Sequence, residues 1–355
     1  MPSSISQFQF SLLPWFPKTI DFKVNRVHFF NFAAFKDKHI PSAQLRTRIE
    51  EYCALYVDES LKPLGSPTLA VIDSDYAFNQ SEDQQLIDLQ RYALAMMFCS
   101  IGGEREISIC VSEQFTLLHQ NFTLTEDAIA FTTGSFYHVT NWRSLPTTRL
   151  VRPGYVPNET ILYQWDMKLM EGLANMIDSH DPEDEKVFEA LRWVRYAFLN
   201  ADGYSYESRV VMMATAFEIF FDLPRFGKEE EFARRLELLL QVDKMGHLPT
   251  RKPNARGALK SSTIYGWWAR DFYSLRSKIV HQGIVAKNDL VNAKGTQYLL
   301  LAVKMLRFCL YRLLEERGYL VFKTLKGKRF GAFAGFSYER HRAERGLRDI
   351  EKVLS

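Results

Sequence analysis

The chain has 355 residues, of which 46% are apolar and 25% charged, with a formal net charge of +3. These values exclude collagen, a continuous coiled coil and bulk disorder, and the length accommodates more than one domain. Aromatic residues reach 14%, with 27 Phe, 16 Tyr and 6 Trp, enough to fill a core without disulfide staples.

Charge interrupts every apolar run before the roughly 18 residues a spanning helix needs, so no membrane segment is expected. Residues 1–16 contain no Lys or Arg, which argues against a secretory signal. Cys53, Cys99, Cys110 and Cys309 show no C-x-x-C spacing. They read as free thiols of a reducing, cytoplasmic compartment.

The first 155 residues mix strand and helix signals. Ile20, Phe22 and Val24 alternate with Asp21, Lys23 and Asn25, the pattern of a half-buried strand. Residues 42–56 predict a short helix. Residues 69–72, 106–111 and 128–132 predict strands rich in Ile, Val and Phe. Ser81 and Asp83 open a helix that places Leu86, Leu89, Tyr92, Ala93 and Met96 on one face. The region reads as an α+β domain.

Arg152-Pro153-Gly154 and Pro157-Asn158 mark the expected boundary. Beyond it, helical signals dominate. An acidic run, Asp181 to Glu185, complements the start of a helix that carries Val187, Leu191, Val194 and Phe198. At that position a helix-dipole role outweighs a metal site. A second helix, from Ser205, carries Val210, Met213, Ala214, Phe217 and Phe221, and ends at Pro224 and Gly227. A third, from about Glu229, carries Phe232, Leu236 and Leu239. After a loop over residues 244–260, a fourth carries Trp268, Phe272, Leu275 and Ile279. A fifth is expected from about Asp289 to Arg317, with Gly318 as its stop. These helices make an all-α bundle. The expected division is residues 1–155, 156–318, and a tail over 319–355. The tail holds nine basic and four acidic residues, a surplus of five, against 36 basic and 38 acidic in the rest. It suits contact with phosphate or an acidic partner.

Several chemistries lack their motifs. There is no P-loop, no G-x-G-x-x-G after a strand, no H-E-x-x-H, no zinc-type Cys/His spacing and no G-x-S-x-G elbow. No metal or other cofactor is called for. One constellation stands out on the fourth helix: Arg276 and His281 form the only R-x4-H pair in the chain. Positions five apart on a straight helix lie about 140° apart. The two share a site if the helix ends near His281, where Gly283 can cap it, or if the long Arg reaches around. An imidazole moves protons near neutral pH, and a guanidinium clamps a phosphorane-like oxyanion. Together they suit metal-free RNA cleavage by 2′-hydroxyl attack, giving a 2′,3′-cyclic phosphate and a 5′-hydroxyl. Ser277 and Lys278 could hold neighbouring phosphate oxygens. The same Arg and His could equally cap helix carbonyls.

The segment Leu275-Arg276-Ser277-Lys278-Ile279-Val280-His281, followed by Gly283, resembles the signature of the HEPN superfamily, in its ApeA-like branch. Met213-Ala214-Thr215-Ala216-Phe217-Glu218-Ile219-Phe220, followed by the helix with Arg234, Arg235 and Leu236, resembles the preceding helices of that branch. The likeness spans about residues 181–317, under half of the chain. It implies a helical bundle and a metal-independent endoribonuclease of antiviral defence or toxin-like growth arrest. It implies a homodimer through the bundle, with RNA as substrate and a composite site built from two protomers. Arg276 would stabilise the phosphate, His281 would serve acid–base chemistry, and Glu218 would orient the Arg. Ser277 stands where active members often carry Asn, Asp or His. Trp267, Trp268 and Tyr273 are candidates for the dimer interface or for base stacking, with bundle core as the plainer role for a Trp. Lys326, Lys328 and Arg329, interleaved with Phe330, Phe333 and Phe336, would hold RNA, and the N-terminal domain would take a trigger or partner protein. The alternative is a non-catalytic module that dimerises or grips RNA or a nucleotide.

Overall fold

The structure is a computed structural model that describes residues 8–13, 20–40, 42–54, 56–57, 67–73, 81–100, 120–124, 128–133, 136–141, 150–151, 166–198, 204–240, 263–283, 285–291 and 298–321. The strand expected over residues 106–111, the proline-marked boundary, the 244–260 loop and the basic tail lie outside the described residues. Among the described residues, one compact unit runs to Ser179 and includes Phe198. The other holds His180–Ala197 and everything from Tyr204 onward.

The first unit is α+β. Seven antiparallel strands lie in the order β2-β3-β5-β1-β6-β7-β8. They are β1 (Phe8–Leu13), β2 (Asp21–Val24), β3 (Val27–Asn31), β5 (Thr68–Ile72), β6 (Gln120–Leu124), β7 (Ala128–Thr133) and β8 (Phe136–Asn141). The short β4 (Tyr56–Val57) pairs in parallel with β9 (Leu150–Val151). Helices α1 (Phe32–His39), α2 (Ala43–Cys53), α3 (Glu82–Ser100) and α4 (Met167–Ser179) complete the unit. The β2 expectation holds, with Val24 buried and Lys23 exposed. All five residues of β5 are buried, as a central strand covered on both faces requires. On α3, Leu89, Tyr92, Ala93 and Met96 are buried, and Leu86 is half-buried.

The unit boundary falls later than residue 155. Helix α4 buries Leu169, Met170, Leu173, Ala174, Met176 and Ile177 and packs on α3 and β2, so it belongs with the sheet. A buried polar network pins the same place. The β2–β3 turn puts Asn25 at φ 49°, a left-handed position that Asn tolerates. Arg26 then reaches Asp88 of α3 at 2.7 Å and Asp178 of α4 at 2.8 Å. Tyr92 donates its hydroxyl to Asp178 at 2.8 Å, and Gln84 donates to Asp88 at 2.9 Å. Arg26 and Asp88 are both almost fully enclosed.

The second unit is helical among its described residues: α5 (Glu185–Phe198), α6 (Tyr206–Phe220), α7 (Lys228–Leu240), α8 (Ile264–Gln282) and α9 (Tyr298–Glu316). Val187, Leu191 and Val194 of α5 are buried, as are Val210, Met213, Ala214, Phe217 and Phe221 along and just after α6. The core centres on Phe217, whose ring meets Phe232 at 4.9 Å, Trp268 at 5.9 Å and Phe272 at 6.0 Å. The last helix begins later than expected. A 3-10 turn covers Lys287–Leu290, and the described helix starts at Tyr298. Asp289 approaches Lys278 at 3.9 Å instead of opening that helix. Gly318 follows α9 at φ 75°, as its place at a helix stop predicts.

The acidic run before α5 has a structural role. Asp181 caps the 3-10 turn Pro182–Asp184 by accepting from the Glu183 N–H at 2.9 Å. Buried Asp184 pairs with Arg317 just beyond α9, and Glu183 lies 3.6 Å from the same guanidinium. Among the described residues no cluster of three or more His, Cys, Asp or Glu is arranged to hold a metal ion, and no helix is long and apolar enough to cross a membrane.

Two predictions follow from the sheet unit. Asp88→Ala leaves the enclosed Arg26 with Asp178 as its remaining carboxylate and should cost about 3 kcal/mol in urea unfolding followed by circular dichroism; a loss below about 1 kcal/mol would show that the Arg26–Asp88 pair is not closed. The His28 ring lies 5.0 Å from that of His39 of α1, tilted by 43°, and its pKa is lowered by burial first, then by His39 and Lys23, with Asp73 opposing. The unfolded chain therefore takes up this proton first. The His28 contribution is complete above about pH 6.5 and declines below it. His28→Gln should flatten the stability–pH slope between about pH 6.5 and 5.

Candidate functional site

Glu218 sits on α6 one position after Phe217, so the aromatic core fixes its place. It is 14% exposed, and its two carboxylate oxygens divide their partners. Oε1 accepts from the Tyr273 hydroxyl at 2.8 Å and lies 3.4 Å from Arg276 Nη2. Oε2 pairs with Lys228 at the start of α7. One carboxylate thus joins α6, α7 and α8. The Arg276 guanidinium also lies 5.6 Å from the Tyr273 ring centre, a cation–π distance. Burial, then the hydrogen bond to Glu218, pushes the Tyr273 phenol above its ordinary value, so it stays a neutral donor.

The frame around this shelf is antiparallel α7 and α8. At one end Glu237 accepts from both the N–H and the hydroxyl of Thr263, at 2.6 and 2.9 Å, and Thr263 caps α8 by accepting from the Gly266 N–H. At the start of α7 Glu230 is gripped by Arg270 of α8 through Nε and Nη2. From the middle of α7 Arg235 donates to the Phe221 carbonyl and to Glu231, closing the end of α6. These contacts set the height of α8 against α6 and so bring Arg276 level with Glu218.

Arg276 is 23% exposed, and its enclosed Nε has no hydrogen-bond partner. Ser277 is half-buried, and Lys278 is exposed near Asp289. His281 is exposed in the last turn of α8. The helix continues through Gln282 and ends at Gly283, φ 74°, whose N–H bonds the Ile279 carbonyl. The expected cap is therefore in place, yet His281 is still helical. It diverges from Arg276 by about 140°, and among the described residues no hydrogen bond or ion pair joins the two. The structure brings together Arg276, Glu218, Tyr273 and Lys228, and leaves His281 free at the helix end. Trp268 is core, stacked on Phe272 at 5.2 Å. Lys326, Lys328 and Arg329 lie outside the described residues.

Lys228 was not anticipated. A Lys in the first turn of a helix opposes the macrodipole, and here it precedes three Glu that suit that position. That local misfit is the sequence signal that could have exposed it. Comparison with family models, with curated proteins and with solved structures finds no match for this chain.

The shelf predicts its own energetics. Glu218→Ala leaves Lys228, Arg276 and the Tyr273 hydroxyl without their shared acceptor and should cost about 2–3 kcal/mol, whereas Tyr273→Phe should cost about 1 kcal/mol. Comparing the urea midpoints checks the order; equal losses would show that Glu218 is not the shared acceptor.

Proposed function

We propose that the helical unit is a HEPN-type, metal-independent endoribonuclease, acting in antiviral defence or growth arrest. The observation that supports this best is Arg276, held against Glu218 on the same helix end that offers an exposed, unbonded His281. In the proposed reaction an imidazole takes the 2′-hydroxyl proton and the 2′-oxygen attacks phosphorus. The bond to the 5′-oxygen breaks, and that oxygen receives a proton. Arg276 stabilises the charge that builds on the phosphoryl oxygens. Glu218 and Tyr273 act as positioning residues by fixing the guanidinium plane. The angular separation of Arg276 and His281 on one helix makes a site shared by two copies the natural arrangement, with the Arg of one protomer facing the His of the other. RNA would be the substrate, and the α+β unit would receive the trigger or partner protein. The proposed active form is a cytoplasmic homodimer.

The separation also favours a second reading, a module that grips phosphate through Arg276 without turnover. The full-length protein incubated with RNA in EDTA distinguishes them. Catalysis predicts cleavage to 2′,3′-cyclic phosphate ends and a loss of about 100-fold or more in His281→Ala. His281 is exposed, so that variant should fold as wild type by circular dichroism. Unchanged cleavage in His281→Ala would refute the assignment. RNA binding without cleavage, lost in Arg276→Ala, would establish the second reading.

A further inference from the structure

The helical unit holds a second concentration of guanidinium groups, apart from the Glu218 shelf. Arg195 lies in the last turn of α5 and is 7% exposed. Its Nε is fully enclosed and has no hydrogen-bond partner, and among the described residues no carboxylate pairs with it. Burial lowers its pKa, with Tyr196 opposing and the nearby Arg192 adding to the lowering. Arginine nevertheless stays charged in proteins. Arg192 lies three positions earlier, on the same helix face. It donates Nη1 to Glu189 at 2.6 Å, while its own enclosed Nε has no partner. Arg209, in the first turn of α6, donates Nε to the Ala197 carbonyl at 2.6 Å. That bond brings a third guanidinium to the end of α5, two residues beyond Arg195.

Burying an unpaired ion is one of the most unfavourable arrangements a fold can contain, and an apolar side chain of similar size in its place removes that cost. The carbonyl end of α5 offsets part of the cost, but it offers no anion. We infer that Arg195 and Arg192 form a binding site for a phosphate group carried by a small molecule. Guanidinium forks match tetrahedral oxyanions bidentately. The pair also supplies more positive charge than Glu189 neutralises. The narrow exposure of Arg195 suits a single phosphate group and is too small for a polymer strand lying along a groove. Because the site lies on α5, occupancy would report on the helical unit without involving Arg276 or His281.

The test is thermal unfolding of the full-length protein titrated with inorganic phosphate, with chloride exchanged to keep ionic strength constant. Wild type should show a saturable rise in Tm. Arg195→Met should unfold at a higher temperature than wild type without phosphate and should lose the response, while Arg276→Met should keep it. No saturable rise in wild type, or the same rise in Arg195→Met, would overturn the site. If Arg195→Met does not fold, Arg192→Gln, on a partly exposed side chain, should raise the phosphate midpoint by about threefold or more, and an unchanged midpoint overturns the proposal. A nucleoside 5′-monophosphate forms the second arm. Saturation at lower concentration than inorganic phosphate assigns a nucleotide as the ligand, and equal potency assigns the free oxyanion; both uphold the site.

Discussion

The helical unit turns on a single carboxylate. Glu218 is mostly withdrawn from solvent, and an unpaired charge there would be prohibitive. It is tolerated because three donors from three directions converge on its two oxygens: Lys228, Tyr273 and Arg276. The arrangement works only if α6, α7 and α8 keep their relative heights. The rings of Phe217, Phe232, Trp268 and Phe272 set those heights from below, and the Glu237–Thr263 and Glu230–Arg270 contacts set them along the α7–α8 seam. Apolar packing gives cohesion without direction. The shared carboxylate gives direction, because moving one helix by a turn would leave at least one donor without its acceptor.

The sheet unit uses the same device to a different end. Arg26 is divided between Asp88 and Asp178, and Tyr92 and Asn25 complete Asp178. The enclosed charges there answer one another, with Asp88 fully buried, so the network fastens a turn to two helices. The Glu218 shelf differs in exposure: Arg276 keeps 23% of its side chain in solvent, where Arg26 keeps 4%. A fully enclosed charge network specifies structure. One that stops short at a cation on the surface can also receive a ligand, and that contrast is the reason for assigning chemistry to the helical unit.

The helical stripes were legible because they are local. The 3.6-residue spacing along α5, α6 and α8 located their buried faces, and the cap chemistry of Ser205, Gly283 and Gly318 located the start of α6 and the ends of α8 and α9. Other elements were less visible. Helix α1 buries only Phe32, so it carries almost no periodic signal. Arg152-Pro153-Gly154 and Pro157-Asn158 drew the boundary ahead of α4, which had no signal of its own in the sequence reading. Asp289 resembled a helix start but was committed to Lys278. Within the site, the R-x4-H spacing identified Arg276 and His281, and the resemblance supplied Glu218. Lys228 could not be placed by spacing, because its pairing depends on a three-dimensional register that no short window contains. The same limit hid Arg195, which sits beside the apolar stripe of α5 and reads as an ordinary surface position.

Arg195 and Arg276 make the closing comparison. Both are helix-borne guanidinium groups removed largely from solvent, yet their surroundings settle the charge differently. Arg276 has Glu218 at 3.4 Å and an aromatic ring beneath it; its orientation is determined before any ligand arrives, which is the condition for stabilising charge that appears only in a transition state. Arg195 has a like-charged neighbour in Arg192 and no carboxylate partner among the described residues, with only the Tyr196 phenol opposing its burial; a ligand there would relieve an existing cost and so would act on stability. Preorganised charge serves reaction, and uncompensated charge serves binding. On that physical ground the catalytic proposal rests on Arg276, and the ligand proposal on Arg195.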